Sequence, residues 1–344
     1  MHPLGTLEDL PTDYRQALTA ANLVPLWPSL RALLPPGRPT SRTAPAHWRW
    51  PDIRPLLLRA GELAPMEKAE RRVLVLSNPG RGLDNLQATS VIYLGMQLVL
   101  PGETAPNHRH TPNAARIVIE GSGACTVVNG NHCPMEPGDL ILTPTGLWHE
   151  HRHDGAGPAM WLDVLDLPLM LYLDRSYAVE GRPQQMAAPP APYPAGGLAP
   201  LRQGRRTQED YPLLRYPWRE ARRALDALAA GVPAGSVVEL AYINPENGEA
   251  PLNTLAFGAL LLRPGEEAGL ARLSAARVFH VVEGEGAAEI DGTHIALGQA
   301  DTFCVPGGAA VHLSNASARA PLCLVGADES PVQRKLGVFE MWQD

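Results

Sequence analysis

The chain has 344 residues, 45% of them hydrophobic, enough for one large domain or two smaller ones. The formal charge is −7 and no basic block occurs, which argues against nucleic acid or an anionic membrane as the main partner. No apolar run is long enough to span a bilayer, and the opening "MHPLGTLEDLPTDYRQ" carries acids where a secretory signal would carry basic and then apolar residues. A cytoplasmic location is expected. The four cysteines (Cys125, Cys133, Cys304, Cys323) show no Cys-x-x-Cys spacing and read as free thiols.

In chain order, helical patterns come first, in "TDYRQALTAANLV" and "IRPLLLRAGEL". Short strands bounded by Gly and Pro follow, in "RIVIEGSGACTVVNG" and "DLILTP". Residues 187–200, "AAPPAPYPAGGLAP", read as a proline-stiffened linker. A helix is expected in "WREARRALDALAAG", with Gly231 as its stop. Strands then resume in "FHVVEGEG" and "DTFCVP".

The chain repeats itself. "PGETAPNHRHTPNAARIVIEG" at 101–121 aligns with "PGEEAGLARLSAARVFHVVEG" at 264–284, an offset of 163. "GDLILTP" aligns with "ADTFCVP" at an offset of 162, after one deletion. The expected domains are an arm at 1–84 outside both copies, a first β domain at 85–174, linker and helix at 175–234, and a second β domain at 235–344.

His108 and His110 stand one residue apart ahead of a β-branched run. On a strand both face one side, an arrangement suited to Zn, Cu, Fe or Ni. Gly102, His108, His110 and Gly121, with Gly138, Pro144, Gly146 and His149, resemble the two cupin motifs. The usual glutamate position falls near Ala114, so the expected ligand set is His108, His110 and His149. The second copy has Ala271, Leu273 and Val311 at these places and is expected to hold no metal. His280 and His312 lie off the ligand positions and read as core or surface residues.

"ERRVLVLSNPG", "YLGMQLVLPGE", "HRHTPNAARIVIEG", "GDLILTPTGLWHEH" and "WLDVLDLP" resemble gentisate 1,2-dioxygenases and their relatives acting on salicylate, substituted salicylates and 1-hydroxy-2-naphthoate. The resemblance extends to "HWRW", "YPWREARRALDAL" and "SPVQRKLGVFE". It implies an all-β bicupin, two jelly-roll domains with an N-terminal helical arm. It implies Fe(II) in the first cupin, an aromatic ortho-hydroxy acid and O2 as reactants, and a homo-oligomer such as a tetramer. The ring would open between the carboxyl-bearing and the adjacent hydroxyl-bearing carbons.

The family places substrate-binding arginines at Arg72 and Arg116, and planar guanidinium forks suit a carboxylate. Arg116 lies six residues after His110, so a continuous strand would turn it to the same interior, and its repeat counterpart is Phe279. Gln97 matches a position near the substrate. His151 matches an acid or base, and Asp163 a residue that fixes a ligand or His151 by hydrogen bond. Tyr93 and Trp148 read as core aromatics or site walls, and His153 as exposed. "HRHTPNAARI" departs from the family's "HRHSQSALRF" type, which keeps gentisate and a 5-substituted salicylate such as 5-nitrosalicylate both open. The competing class is a non-redox metal cupin, an isomerase or a ligand-binding sensor.

Overall fold

The computed structural model describes residues 5–37, 39–184 and 211–342. The proline-rich stretch 187–200 lies outside them. The chain divides into two compact units, Met1–Ser41 and Arg42–Asp344. The first carries α1 (Thr12–Ala20) and α2 (Leu30–Leu33).

The second unit begins with β1 (Ala46–Trp48), α3 (Trp50–Leu63), α4 (Met66–Ala69) and β2 (Arg72–Val75). Then come β3 (Tyr93–Val99), β4 (Thr104–His110), β5 (Ala114–Glu120), β6 (Ala124–Val128) and β7 (Asn131–Pro134). The first half ends with β8 (Leu140–Thr143), β9 (His149–His153), β10 (Ala159–Leu165), α5 (Leu167–Tyr172) and β11 (Ala178–Glu180). The second half opens with β12 (Arg215–Tyr216), α6 (Trp218–Ala229) and β13 (Val238–Ala241). It continues through β14 (Ala256–Leu262), β15 (Glu267–Leu270), β16 (Arg272–Leu273), β17 (Arg277–Glu283), β18 (Gly286–Ile290) and β19 (Thr293–Leu297). It closes with β20 (Thr302–Val305), β21 (Val311–Ser314), β22 (Leu322–Asp328), α7 (Ser330–Lys335) and β23 (Met341–Trp342).

The repeat holds strand by strand. Ala114–Glu120 recurs as Arg277–Glu283, 163 positions on, and Leu140–Thr143 as Thr302–Val305, 162 positions on. In the first half the sheet β12-β8-β5-β10-β3-β2 faces the sheet β11-β4-β9-β6-β7. Between them lie Val99, Val118, Ile141 and Trp161 from the larger sheet and Ala105, Ala124 and Cys133 from the smaller. In the second half β1-β20-β17-β22-β14-β13 faces β15-β21-β18-β19 around Phe279, Phe303, Leu270 and Leu313. Each pair of sheets is a jelly roll, so the fold is the bicupin expected from sequence. A third, continuous core joins the halves. Strand alternation sends Leu94, Met96 and Leu98 of β3 away from their own barrel, to pack with Ala259, Leu261 and Val325 of the other half.

From Arg42 onward the arm belongs to the same compact unit as the two β domains. β1 pairs with β20 of the second half (Ala46↔Cys304), and β12 pairs with β8 of the first (Arg215↔Ile141). Each following helix opens on a tryptophan anchored across the halves. Trp50 donates its backbone N–H to Asp301 Oδ1 at 2.8 Å, and Trp218 to Asp139 Oδ1 at 2.8 Å. Asp139 and Asp301 are themselves repeat partners. The two repeats therefore exchange their leading strand and helix. Those segments diverge in sequence because only a first-turn tryptophan and a loose apolar spacing are needed there.

Candidate metal centre

β4 and β9 run antiparallel, and their register sets the centre. Ala105 lies opposite His151, but His108 lies opposite His149 rather than Trp148, because the pairing shifts between Ala105 and His108. Pro106 sits in that interval, cannot donate to a ladder, and fits a bulge. The one-residue shift turns His108, His110 and His149 toward the same interior.

One ligand-capable nitrogen from each of these histidines lies within 4.8 Å of the others, the one such group of His, Cys, Asp or Glu among the described residues. The ring centroids of His108 and His149 are 4.2 Å apart, and those of His110 and His149 4.7 Å apart. Each Nδ1 meets a backbone carbonyl: His108 with Pro106 at 3.2 Å, His110 with Pro112 at 2.7 Å and His149 with Leu147 at 3.0 Å. A carbonyl only accepts, so in His110 and His149 Nδ1 carries the hydrogen and Nε2 keeps its lone pair, whereas His108 Nδ1 also meets the guanidinium of Arg71, which only donates. The Nε2 of His149 is buried without a hydrogen-bond partner among the described residues. Burial, aided by nearby Arg71 and Arg116, pushes His108 down to about 3. Burial and Arg116 push His110 to about 4 and His149 well below its usual range. Three neutral imidazoles that each bring one nitrogen to a common point fit a transition-metal ion.

Arg116, on β5, is buried. Its Nη1 donates to Thr143 Oγ1 at 2.8 Å, and its Nε lies 3.2 Å from Asp163 Oδ1. Asp163 also accepts from Trp161 Nε1 at 3.0 Å. Burial raises the Asp163 carboxyl, against the pull of Arg116. Asp163 thus orients Arg116, where the sequence reading had it on a ligand or His151.

The expectation for Arg72 is corrected. In the β2–β3 register Arg72 lies opposite Leu98 and Val73 opposite Gln97. Arg72 therefore shares the outer face with Leu98. There it pairs with Glu103 and donates to the Gly61 carbonyl at 3.3 Å. Arg71, one residue earlier, reaches the histidines instead: its Nη2 touches His108 Nδ1 and donates to the Pro106 carbonyl at 2.8 Å. Burial and the charge of Arg116 lower Arg71 to about 10. A single-residue shift along a strand reverses the face, and "ERRV" offers no pattern to choose between the two arginines.

His151 lies beside the centre, its ring 6.0 Å from that of His149 and 5.0 Å from Trp161. Its Nδ1 is 3.0 Å from Thr126 Oγ1, and the Thr126 hydroxyl donates to Met135 Sδ at 3.6 Å. The hydroxyl therefore accepts from His151 Nδ1–H, which leaves Nε2 as an unprotonated acceptor. That Nε2 and Gln97 Nε2 are buried and without a hydrogen-bond partner among the described residues. Sequence reasoning missed Arg71, Thr126, Thr143 and Trp161. Their contacts cross strands, and no spacing marks them.

Tyr93 lies on the inward face of β3, where a Cβ added to Gly95 would meet its hydroxyl at 2.8 Å. Trp148 does not line the centre. It precedes His149, faces the other side, and stacks under Arg109 at 4.8 Å. His153 is buried rather than exposed. It shares the inward face of β9 and bonds to the Gly157 carbonyl and the Gly155 N–H. In the second half His280 is buried against Thr302, and His312 is exposed.

Residues 95–165 match the cupin domain family. A gentisate 1,2-dioxygenase of a Ralstonia species is 55% identical over 341 residues, covering 98% of this chain and 96% of that one. The chain belongs to the gentisate 1,2-dioxygenase family. Members of this family are ring-cleaving dioxygenases, and the three-histidine group is the metal-type site such a cupin enzyme needs. A 5-aminosalicylate 1,2-dioxygenase of a Comamonas species is 36% identical, covering 94% of this chain and 87% of its own length. The crystal structure of a salicylate 1,2-dioxygenase from Pseudoaminobacter salicylatoxidans, an adduct with gentisate, superposes with a TM-score of 0.89 at 32% identity. It covers 99% of this chain and 95% of that one. No helix among the described residues is long and apolar enough to cross a membrane.

Proposed function

We propose that this enzyme holds Fe(II) on His108, His110 and His149 and opens the ring of gentisate between its carboxyl-bearing and adjacent hydroxyl-bearing carbons. The observation that carries this reading is the charge of the site. Three neutral imidazoles stand beside two desolvated guanidiniums, Arg71 and Arg116, and the one carboxylate against Arg116, Asp163, is already engaged. Such a site favours a chelating anion, and an aromatic carboxylate with an ortho hydroxyl is one. When bound, Fe(II) supplies the redox chemistry that activates O2.

The chain's own residues do the rest. Arg71 and Arg116 receive the carboxylate with planar donors. The free Nε2 of His151 accepts the proton that the ring hydroxyl gives up. Gln97, whose amide nitrogen has no other partner, donates to the substrate. The 55% identical gentisate relative favours gentisate. The small Ala114 in "HTPNAARI" favours the second reading, a 5-substituted salicylate.

The test is oxygen uptake and ring-opened product absorbance on anaerobically iron-loaded protein, with gentisate, salicylate and 5-substituted salicylates. Turnover of gentisate above the others supports the first reading, and preference for a salicylate without the para hydroxyl supports the second. Binding of these acids with no oxygen uptake by any of them would instead indicate a non-redox cupin.

A further inference from the structure

We propose that Asp166 is a positioning residue for the metal centre, acting on His110 through the Pro112–Asn113 peptide, and that the metal-less repeat completes it with Thr254. This rests on the three-histidine centre proposed above.

The Pro112–Asn113 peptide is engaged at both ends. Its carbonyl accepts from His110 Nδ1 at 2.7 Å, and its N–H donates to Asp166 Oδ1 at 2.8 Å. Asp166 is fully buried and donates its own N–H back to the Asn113 carbonyl at 3.2 Å. Its Oδ2 accepts from Asn113 Nδ2 at 3.0 Å and from the Thr254 hydroxyl, which arrives from the other half just ahead of β14. The result is a chain of carboxylate, peptide and imidazole that ends at a ligand lone pair. A negative charge on the N–H side polarises the amide and strengthens its carbonyl as an acceptor. Carboxylates that bond a metal-ligating histidine directly fix its orientation and raise its basicity, and here one peptide is interposed.

The same anchor reaches a second ligand. Asn113 Oδ1 accepts from Thr145 N–H at 3.1 Å, in the turn whose Leu147 carbonyl accepts from His149 Nδ1 at 3.0 Å. Gly146 N–H of that turn donates to the His110 carbonyl at 2.9 Å.

The repeat supplies a control inside the molecule. Glu329 stands where Asp166 stands, each immediately preceding its helix. It is buried, accepts from Thr89 at 2.8 Å and Ser90 at 3.2 Å in the opposite half, and accepts the backbone N–H of Ala276, the counterpart of Asn113. The counterpart of His110 is Leu273, so this second bracket joins the halves without serving a ligand.

The test is titration of metal-free protein with Co(II), read by the visible absorption of the bound ion, with thermal unfolding of each metal-free variant alongside. Asp166→Asn and Thr254→Val are expected to bind Co(II) about tenfold more weakly and to alter the band shape, while Thr254→Ser restores both. Glu329→Gln is expected to lower the unfolding temperature as much as Asp166→Asn yet bind Co(II) like the wild type. Wild-type affinity in both Asp166→Asn and Thr254→Val would overturn the proposal, as would equal weakening by Glu329→Gln. Wild-type protein that takes up no Co(II), or uptake that survives His110→Ala, would overturn the metal-centre reading beneath it.

Discussion

His108 and His149 face each other across β4 and β9 because the strand pairing slips by one residue between Ala105 and His108. Their rings stand 4.2 Å apart, and His149 carries its hydrogen on Nδ1. The centre is thus made by strand register as much as by ligand identity. Pro106→Ala, which restores a ladder donor at the bulge, is expected to weaken metal binding without removing any ligand. Metal content by elemental analysis of Pro106→Ala and His149→Ala checks this, the first falling in part and the second to near zero.

Arg71 and Arg72 should separate function from stability. Arg71→Ala is expected to lower kcat/KM by roughly 30-fold, the loss of about 2 kcal/mol of charge-assisted bonding, with little change in the denaturation midpoint. Arg72→Ala breaks the pair of a buried guanidinium with the partly exposed Glu103 and is expected to cost about 2 kcal/mol of stability. Urea unfolding and steady-state kinetics on both variants decide whether the roles divide this way.

Acid should weaken the second half through His280. Burial outweighs the nearby Asp301 and lowers His280 to about 4 from its ordinary 6.5. The unfolded chain therefore binds a proton there between pH 6.5 and pH 4 that the folded one refuses. Stability from this group is complete above pH 6.5 and falls with pH down to about 4, by about 3 kcal/mol. His280→Ile, which installs the residue found at the repeat position Ile117, removes that slope. Urea unfolding of both proteins between pH 7 and pH 4 should show the difference, since the remaining histidines contribute equally to each.

The exchanged elements predict that a fragment of residues 85–174 does not fold. It lacks β2 and β12, which flank its larger sheet, and it exposes Leu94, Met96, Leu98, Met160 and Leu162, which the other half and the helices cover. Circular dichroism and amide proton dispersion of that fragment should report an unfolded or molten chain.

What sequence made legible was chemistry that demands identity. A histidine ligand has few substitutes, so His108, His110 and His149 stood out, the more so because the second copy has Ala271, Leu273 and Val311 in their places. The apolar periodicity of α3 and α6 was equally plain. Facing was not legible. Arg71 and Arg72 differ by one residue, and only the pairing of Val73 with Gln97 tells which points inward. His153 looked exposed because its partners, Gly155 and Gly157, are backbone groups of a loop. Thr254 stands 88 positions from Asp166, and no spacing rule connects them. The exchange of β1 and β12 was hidden for a similar reason: backbone pairing constrains the side chains of such short strands very little.

The most direct test is a single turnover. Protein loaded anaerobically with one equivalent of Fe(II) and one of gentisate is mixed with ¹⁸O2, and the product is weighed by mass spectrometry. Ring cleavage at the three-histidine centre requires a ring-opened product carrying both labelled oxygen atoms, formed by the wild type and absent with His149→Ala. Gentisate recovered intact and unlabelled, with oxygen unconsumed, would contradict it.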